Sequence, residues 1–245
     1  MRNIKITIEY DGKDFNGWQK QPNKLNIQGE IERAIEIVTG EKVDLIGSGR
    51  TDAGVNALNQ IANFKIENNI PIEKIPYALN SQLKKSIRIK NAEEVDERFH
   101  SRYHCKKKTY QYTINNSKQG TAIYRYMQYH YQYKLDENKM NEAVKYLIGE
   151  HDFKSFKASG GSGKTTVRII YDASVKRDGD LIFITLTGNG FLYNMIRIIA
   201  GTLVEIGEGK YEPSKMKEIL EAKDRSLAGK TLPANGLCLM NVMYD

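Results

Sequence analysis

Strand-type and helix-type hydrophobic patterns alternate along the whole chain of 245 residues. The first ten residues alternate apolar and polar side chains, which is the period of a half-buried strand. From Ile27 to Val38 apolar residues recur every three or four positions, after a capping Asn26 and before Gly40. That spacing is typical of an amphipathic helix. The alternation predicts an α+β fold, with helices on one face of antiparallel sheets.

The same reasoning predicts further elements along the chain, from periodicity and from turn residues such as glycine, aspartate and proline. The expected strands cover residues 61–66, 87–95, 109–114, 167–175, 181–187 and 236–244. The expected helices cover residues 75–83, 140–148 and 191–206, with a shorter helix opening at Pro213.

The chain is expected to divide near residue 105. The predicted domains are 1–105, with one α+β unit, and 106–245, with a second α+β unit. Because no Pro/Gly/Ser-rich linker marks the boundary, we expect the two domains to share a continuous structure and not to be tethered separately.

The charge balance favours a polyanionic partner. The chain has 37 Lys and Arg against 30 Asp and Glu, a formal net charge of +7 and a pI near 9.1. Basic residues cluster at 84–90 and 102–108. Such clusters suit nucleic acid, although lysine also protects exposed strand edges from aggregation. The alternatives stay open at this point.

The cysteines, the histidines and the length of the apolar stretches limit which class of protein this can be. Cys105 and Cys238 fit neither a CxxC motif nor a metal-ligand spacing, and the four histidines are not spaced as ligands. No stretch reaches the roughly 18 apolar residues of a membrane span. We therefore expect a soluble cytoplasmic protein that needs no metal or disulfide to fold.

Three glycines surround Arg50, Thr51 and Asp52 in the segment from Gly47 to Gly54. Glycine lets a backbone turn tightly and approach a ligand closely. An aspartate in such a loop can present its carboxylate to a cleft, and a nearby arginine can stabilise its charged form. The alternative is an Asx turn, in which the carboxylate only binds neighbouring N–H groups.

Two other segments carry weaker signals. Gly160–Thr165 resembles the end of a phosphate-binding loop, but Ala158 replaces the first glycine of that pattern and a strand is expected to follow. Nucleotide hydrolysis is therefore disfavoured. The tyrosines between Tyr124 and Tyr133 are interleaved with cations, a pattern that can stack bases or simply pack on a core.

The loop Gly49–Val55 resembles the catalytic motif of the tRNA pseudouridine synthase A family, and other family segments occur in the same order across almost the whole chain. These segments are Tyr10–Gly12, Phe15–Gln19, Ile27–Gly29, Phe99–Arg102, Lys108–Tyr112, Gly149–Phe153, Phe191–Arg197 and Gly236–Leu239.

The resemblance implies roles for individual residues. Asp52 matches the catalytic aspartate, and Arg197 matches the arginine that pairs with it. Tyr110 matches the tyrosine that stacks on the target uracil. Arg50 matches the arginine that helps to extrude and replace the flipped base, and Leu237 the apolar wall of the pocket.

The resemblance also implies a fold and a reaction. The expected fold has two ferredoxin-like or RRM-like units that form a continuous antiparallel sheet, with helices on one face and a central RNA-binding cleft. The expected reaction converts uridine to pseudouridine at positions 38, 39 and 40 of the tRNA anticodon stem-loop, without cofactor or metal. The family assembly is a homodimer that cradles tRNA.

One residue departs from the family pattern, and the difference bears on which RNA is the substrate. Family members usually carry His where this chain has Asn56, and a neutral amide cannot become cationic. The alternatives are a related synthase that acts on ribosomal or another RNA, and a non-catalytic RNA-binding protein. Sequence does not decide whether Asp52 adds to uracil C6, attacks C1′ or removes the C2′ proton.

Overall fold

The structure is a computed structural model, and it describes residues 1–161 and 165–244. Two compact units are present. Unit 1 comprises Met1–Lys106 together with Leu239–Asp245, and unit 2 comprises Lys107–Cys238. The predicted domains 1–105 and 106–245 stay a prediction, but the structure adds that the chain returns to unit 1 after unit 2.

Unit 1 is built on antiparallel strands. Its elements are β1 (Arg2–Tyr10), α1 (Ile27–Thr39), β2 (Ile46–Gly47), β3 (Asn56–Ile66), α2 (Ile75–Gln82) and β4 (Ile87–Val95). Strand β1 pairs with β3 on one side and with β4 on the other, and the short β2 pairs with β3. The loop that contains Asp52 therefore joins two paired strands, β2 and β3.

Helix α1 has the capping predicted from its sequence. The Asn26 side chain accepts a hydrogen bond from Gly29 N at 2.8 Å, and Gly40 ends the helix with a left-handed φ of 78°. Ile31 and Ile35 on its apolar face are fully buried. A helix that is capped at both ends and buried along one face gives a rigid support to the loops beside it.

Unit 2 contains a second set of paired strands. Its elements are β5 (Lys107–Asn115), β6 (Tyr129–His130), α3 (Glu137–Lys145), β7 (Gly149–Asp152), β8 (Val167–Asp178), β9 (Leu181–Gly188), α4 (Met195–Gly207) and α5 (Lys215–Ala222). Strand β9 lies between β5 and β8, and β7 lies outside β8, all antiparallel. The two-residue strand β6 runs parallel to β5.

The chain then returns to unit 1 through β10 (Leu237–Met243). Within unit 1, Asn59 Nδ2 donates to Met240 O at 2.8 Å, and Lys106 N donates to Met243 O at 2.9 Å. The α+β class predicted from the sequence is confirmed by this succession of elements.

Two predicted helix boundaries are wrong. Helix α4 begins at Met195 and not at residue 191, because Asn194 has left-handed backbone angles of φ 59° and ψ 8°. Helix α3 ends at Lys145, because the following N–H groups bond to carbonyls three residues earlier, as Ile148 N does to Lys145 O at 3.1 Å. Residues 162–164 of the rejected phosphate-binding loop lie outside the described residues, and the strand expected after them is β8.

Candidate active site

The Asp52 loop, Gly47–Val55, is tied to β3 on the N-terminal side of its aspartate. Ser48 N donates to Ile61 O at 2.7 Å, and Ser48 Oγ donates to Gln60 Oε1 at 2.6 Å. The amide of Gln60 in turn donates to Gly49 O at 3.0 Å. Ser48 and Gln60 are fully buried. Buried polar groups with satisfied hydrogen bonds hold a backbone in one position.

The residue directly before Asp52 is fixed through both its backbone and its side chain. Thr51 O accepts from Trp18 N at 3.1 Å, and the Thr51 and Tyr10 hydroxyls lie 2.7 Å apart in a buried hydrogen bond. Gly17 has a φ of 84°, and a Cβ there would press on Thr51 O. Glycine is therefore required at 17 for this close approach.

A tight turn fixes the C-terminal side of Asp52. Val55 N donates to Asp52 O at 3.2 Å, Gly54 N donates to Phe15 O at 3.3 Å, and Gly54 has the positive φ of 77° that such a turn requires. A backbone hydrogen bond therefore closes the turn that follows Asp52, and the Asp52 side chain is half-buried.

Asn56, the departure from the family pattern, has a structural role. Its Oδ1 accepts from Gly12 N at 2.9 Å, and the residue is buried. A neutral histidine could accept the same bond through a ring nitrogen, whereas a cationic histidine has no acceptor. The position therefore requires an acceptor for a buried N–H group. Arg50, on the other flank of the aspartate, is exposed.

In unit 2, Arg197 is oriented by two hydrogen bonds of its guanidinium. Nε donates to Leu232 O at 2.7 Å, and Nη1 donates to Asn194 Oδ1 at 2.7 Å. The backbone completes the link, since Leu232 N donates to Arg197 O at 3.2 Å. Sequence reasoning missed Leu232, because it acts through its backbone and leaves no side-chain signal.

Two glycines bring the Leu232 segment onto α4. A Cβ on Gly201 would clash with Lys230 O, and a Cβ on Gly229 would lie 2.6 Å from Thr202 N. Gly229 N also donates to Thr202 Oγ1 at 2.9 Å. Backbone therefore packs directly on backbone here, which places the Leu232 carbonyl beside Arg197.

Two tyrosines of β5 lie two residues apart, and hence on the same face of the strand. Tyr110 is buried and packs edge-to-face on Phe191, with ring centroids 5.3 Å apart. Tyr112 OH donates to Pro233 O at 2.8 Å. Burial raises the pKa of Tyr112 above its ordinary value, and the nearby charge of Arg197 opposes that rise. Tyr112 is a second residue that sequence reasoning did not single out.

Leu237 begins β10 and is buried. It follows Gly236, where a Cβ would lie 2.7 Å from the Tyr112 ring. Unit 2 thus links Arg197, Tyr112 and Leu237 through one segment, residues 232–237. Asp52 and Arg50 belong to unit 1, whereas Tyr110, Arg197 and Leu237 belong to unit 2.

Comparison with known proteins decides the family. A family model described as tRNA pseudouridine synthase matches residues 6–104 and 143–245. The chain belongs to the tRNA pseudouridine synthase family. The resemblance and the fold class expected from the motifs are thereby confirmed, and the protein is an RNA pseudouridine synthase, an isomerase.

Curated relatives of this synthase match it from end to end. It is 54% identical to tRNA pseudouridine synthase A of Caldicellulosiruptor bescii and 50% identical to that of Acetivibrio thermocellus. It is also 50% identical to tRNA pseudouridine synthase A 2 of Clostridium perfringens. Each alignment covers 100% of both chains.

A solved structure of a Cbf5–Nop10–Gar1 complex is similar to the synthase with a TM-score of 0.40 and 11% identity. That match covers 96% of this chain and 57% of the other.

Within residues 1–161 and 165–244, no group of three or more His, Cys, Asp or Glu side chains is arranged to hold a metal ion. In the same part of the chain, no helix is both long and apolar enough to cross a membrane.

The role of Asn56 can be tested by removing its acceptor. Asn56→Leu keeps the size of the side chain but leaves the buried Gly12 N–H unpaired, so we expect the free energy of unfolding to fall by about 1–3 kcal/mol. Urea denaturation measures this. Asn56→His is the control, because its ring is mostly neutral at about pH 8 and keeps an acceptor. A leucine variant as stable as the wild type would contradict the assigned role.

Proposed function

We propose that this synthase converts uridine to pseudouridine at positions 38, 39 and 40 of the tRNA anticodon stem-loop, with Asp52 as its catalytic carboxylate. The observation that carries the assignment is the fixed turn at Asp52, where hydrogen bonds hold the backbone in one position on both flanks of the aspartate. The relatives' name, tRNA pseudouridine synthase A, supports the choice of substrate.

The reaction breaks the N1–C1′ bond of uridine and forms a C5–C1′ bond. The uracil turns between these steps, C5 loses its proton to solvent, and N1 takes one up. Because the target atoms are shielded within stacked RNA, the base must flip out at a cost of about a few kcal/mol. An anticodon stem-loop lowers that cost, since its loop and the adjoining stem end are easily opened.

Asp52 must be ionised to add to uracil C6, to attack C1′ or to remove the C2′ proton, and these three routes stay open. A flipped base that covers the carboxylate would remove water from it and favour its protonated form, an effect that a neighbouring cation offsets. We assign that cation to Arg197. Its guanidinium donates hydrogen bonds to Leu232 O and Asn194 Oδ1, so the position of its positive charge is fixed.

The remaining site residues act on the base. In this proposal Tyr110 stacks on the uracil, a contact worth about 1–3 kcal/mol per base. Leu237 forms the apolar wall of the pocket, and Arg50, which is exposed, replaces the flipped base in the RNA. Each unit holds its own site residues through its own hydrogen bonds, those of Thr51 in unit 1 and those of Arg197 in unit 2.

We further propose that the protein is cytoplasmic and acts as a homodimer on tRNA. Light scattering should then give twice the 28.0 kDa mass of one chain. A mass near 28.0 kDa for the active species would contradict the dimer.

Asn56 does not by itself favour another RNA. Its contact with Gly12 N serves the Asp52 loop, and a histidine would serve the same N–H group. Mapping pseudouridines in total RNA from a strain without the protein tests the target directly. Loss at tRNA positions 38–40 supports the proposal, whereas loss in ribosomal RNA alone, or no loss, overturns it.

The catalytic role of Asp52 predicts that Asp52→Asn retains RNA binding and loses activity by about 10²- to 10⁴-fold or more, because a neutral amide can neither attack nor remove a proton. Tritium release from tRNA labelled at uridine C5 measures turnover. Asp14→Asn is a matched control, since Asp14 is exposed on a nearby loop of unit 1. Substantial turnover by the Asp52 variant would refute the assignment.

The assignment of Arg197 predicts a loss of rate that exceeds the loss of affinity. For Arg197→Leu we expect a fall of about 100-fold in single-turnover rate, the size typical of a lost charge-stabilising donor. Arg197→Lys keeps the charge without the planar fork and should recover part of that rate. A loss confined to tRNA affinity would indicate a phosphate-binding role instead.

A further inference from the structure

The positive charge of the chain is concentrated in one acid-free stretch. Residues 98–135 contain eight Lys and Arg and no Asp or Glu, so the rest of the chain carries 29 basic residues against 30 acidic ones. The same stretch holds eight of the 15 tyrosines and three of the four histidines. A stretch that combines cations with aromatic rings and lacks acids has the composition of a nucleic-acid surface.

Part of this stretch forms an exposed surface on unit 2. Residues 122–127 are all exposed, with Ile123 at 81%, Tyr124 at 54% and Met127 at 51% of full exposure. The Arg125 guanidinium lies over the Tyr126 ring at 4.3 Å. We call residues 122–134 the tyrosine surface. Large apolar side chains exposed together on a protein generally mark a binding site.

The backbone beneath these side chains is fixed. Asn235 Nδ2 donates to Arg125 O at 2.8 Å and to Gln128 O at 2.7 Å. Further along, Asn116 Nδ2 donates to Tyr131 O and Tyr133 O, each at 2.7 Å. Exposed rings on an anchored backbone lose little conformational freedom when they bind a partner.

The same segment that orients Arg197 also anchors the tyrosine surface. Residues 232–237 supply Leu232 O to Arg197, Pro233 O to Tyr112 and the Asn235 side chain to the loop. Tyr112 and Tyr129 are in contact as well, with ring centroids 6.4 Å apart. RNA held near Arg197 would therefore run close to the tyrosine surface.

We propose that the tyrosine surface is a second RNA-binding site, separate from the site that receives the reacting uridine. Tyr124 stacks on an unpaired base and Arg125 contacts the backbone phosphates, so that the surface positions the RNA while chemistry takes place at Asp52. This inference rests on the proposed function. It concerns residues 122–134, which lie outside the ranges 6–104 and 143–245 matched by the family model.

The experiment compares Tyr124→Ala with Tyr77→Ala, a control because Tyr77 is a 78% exposed tyrosine of unit 1. Affinity is measured for an unmodified tRNA transcript, and rate is measured in single turnover with saturating enzyme. Loss of one stacked base should weaken tRNA binding about 5- to 150-fold. The saturated rate should stay near that of the wild type, and Tyr77→Ala should change neither quantity.

A second variant tests the phosphate contact. Arg125→Gln should weaken binding to all tRNA sequences alike and reduce the slope of log affinity against log salt by about one. A slope equal to that of the wild type would overturn the assignment of Arg125 to phosphate.

Two outcomes would overturn the surface as an RNA site. One is unchanged tRNA affinity in Tyr124→Ala. The other is a Tyr124→Ala protein whose mass in light scattering differs from that of the wild type, while each assembled particle binds tRNA as tightly as before. That result would make the surface a contact between copies of the chain. The proposed function fails separately, if the wild-type protein forms no pseudouridine in the bound transcript.

Discussion

The buried hydrogen bonds around the Asp52 loop are the constraint on which the site in unit 1 depends. Ser48, Thr51 and Gln60 are polar side chains in a core that would otherwise favour apolar ones. Each bond adds only about 0.5–1.5 kcal/mol net, but a buried group left without its partner costs about 1–3 kcal/mol. The loop is therefore held in one position by the cost of every alternative position.

In unit 2 the site residues are held mainly by backbone atoms. Residues 232–237 touch α4, β5 and the tyrosine surface, through carbonyls and one amide side chain. Gly201 and Gly229 permit that approach, since a Cβ at either position would meet backbone. One short segment thus fixes the orientation of the Arg197 guanidinium, the position of the buried Tyr112 and the backbone of the tyrosine surface.

Much of the fold could be predicted because its signals are local. The α1 helix follows from its caps and period, and β4 follows from residues 87–95 with the bounds observed. The start of α4 could not be predicted, because the left-handed backbone at Asn194 leaves the apolar period intact. The two-residue strands β2 and β6 are too short to show a period at all.

The candidate site shows the same division. In the sequence, glycines and the charges of Arg50 and Asp52 indicate the Asp52 loop, and collinear motifs indicate Arg197 and Tyr110. The Leu232 carbonyl could not be predicted in this way, because any residue with the same backbone geometry at this position would serve as the acceptor. At Asn56 the sequence indicates only the loss of a histidine's possible charge, whereas the observed hydrogen bond from Gly12 N depends on an acceptor oxygen. Residue identity predicts which chemistry is available, and the fold decides which of its atoms are used.

The return of the chain to unit 1 through β10 also sets an order of events during synthesis. Unit 1 carries Asp52, yet its strand β3 gains its neighbour β10 from residues that follow the whole of unit 2. At about 5–20 residues per second, the ribosome needs roughly 10 s to make unit 2. During that interval one edge of β3 presents unpaired N–H and C=O groups, the kind of edge that other chains can join. The half of the protein that is translated first is thus the half that is finished last.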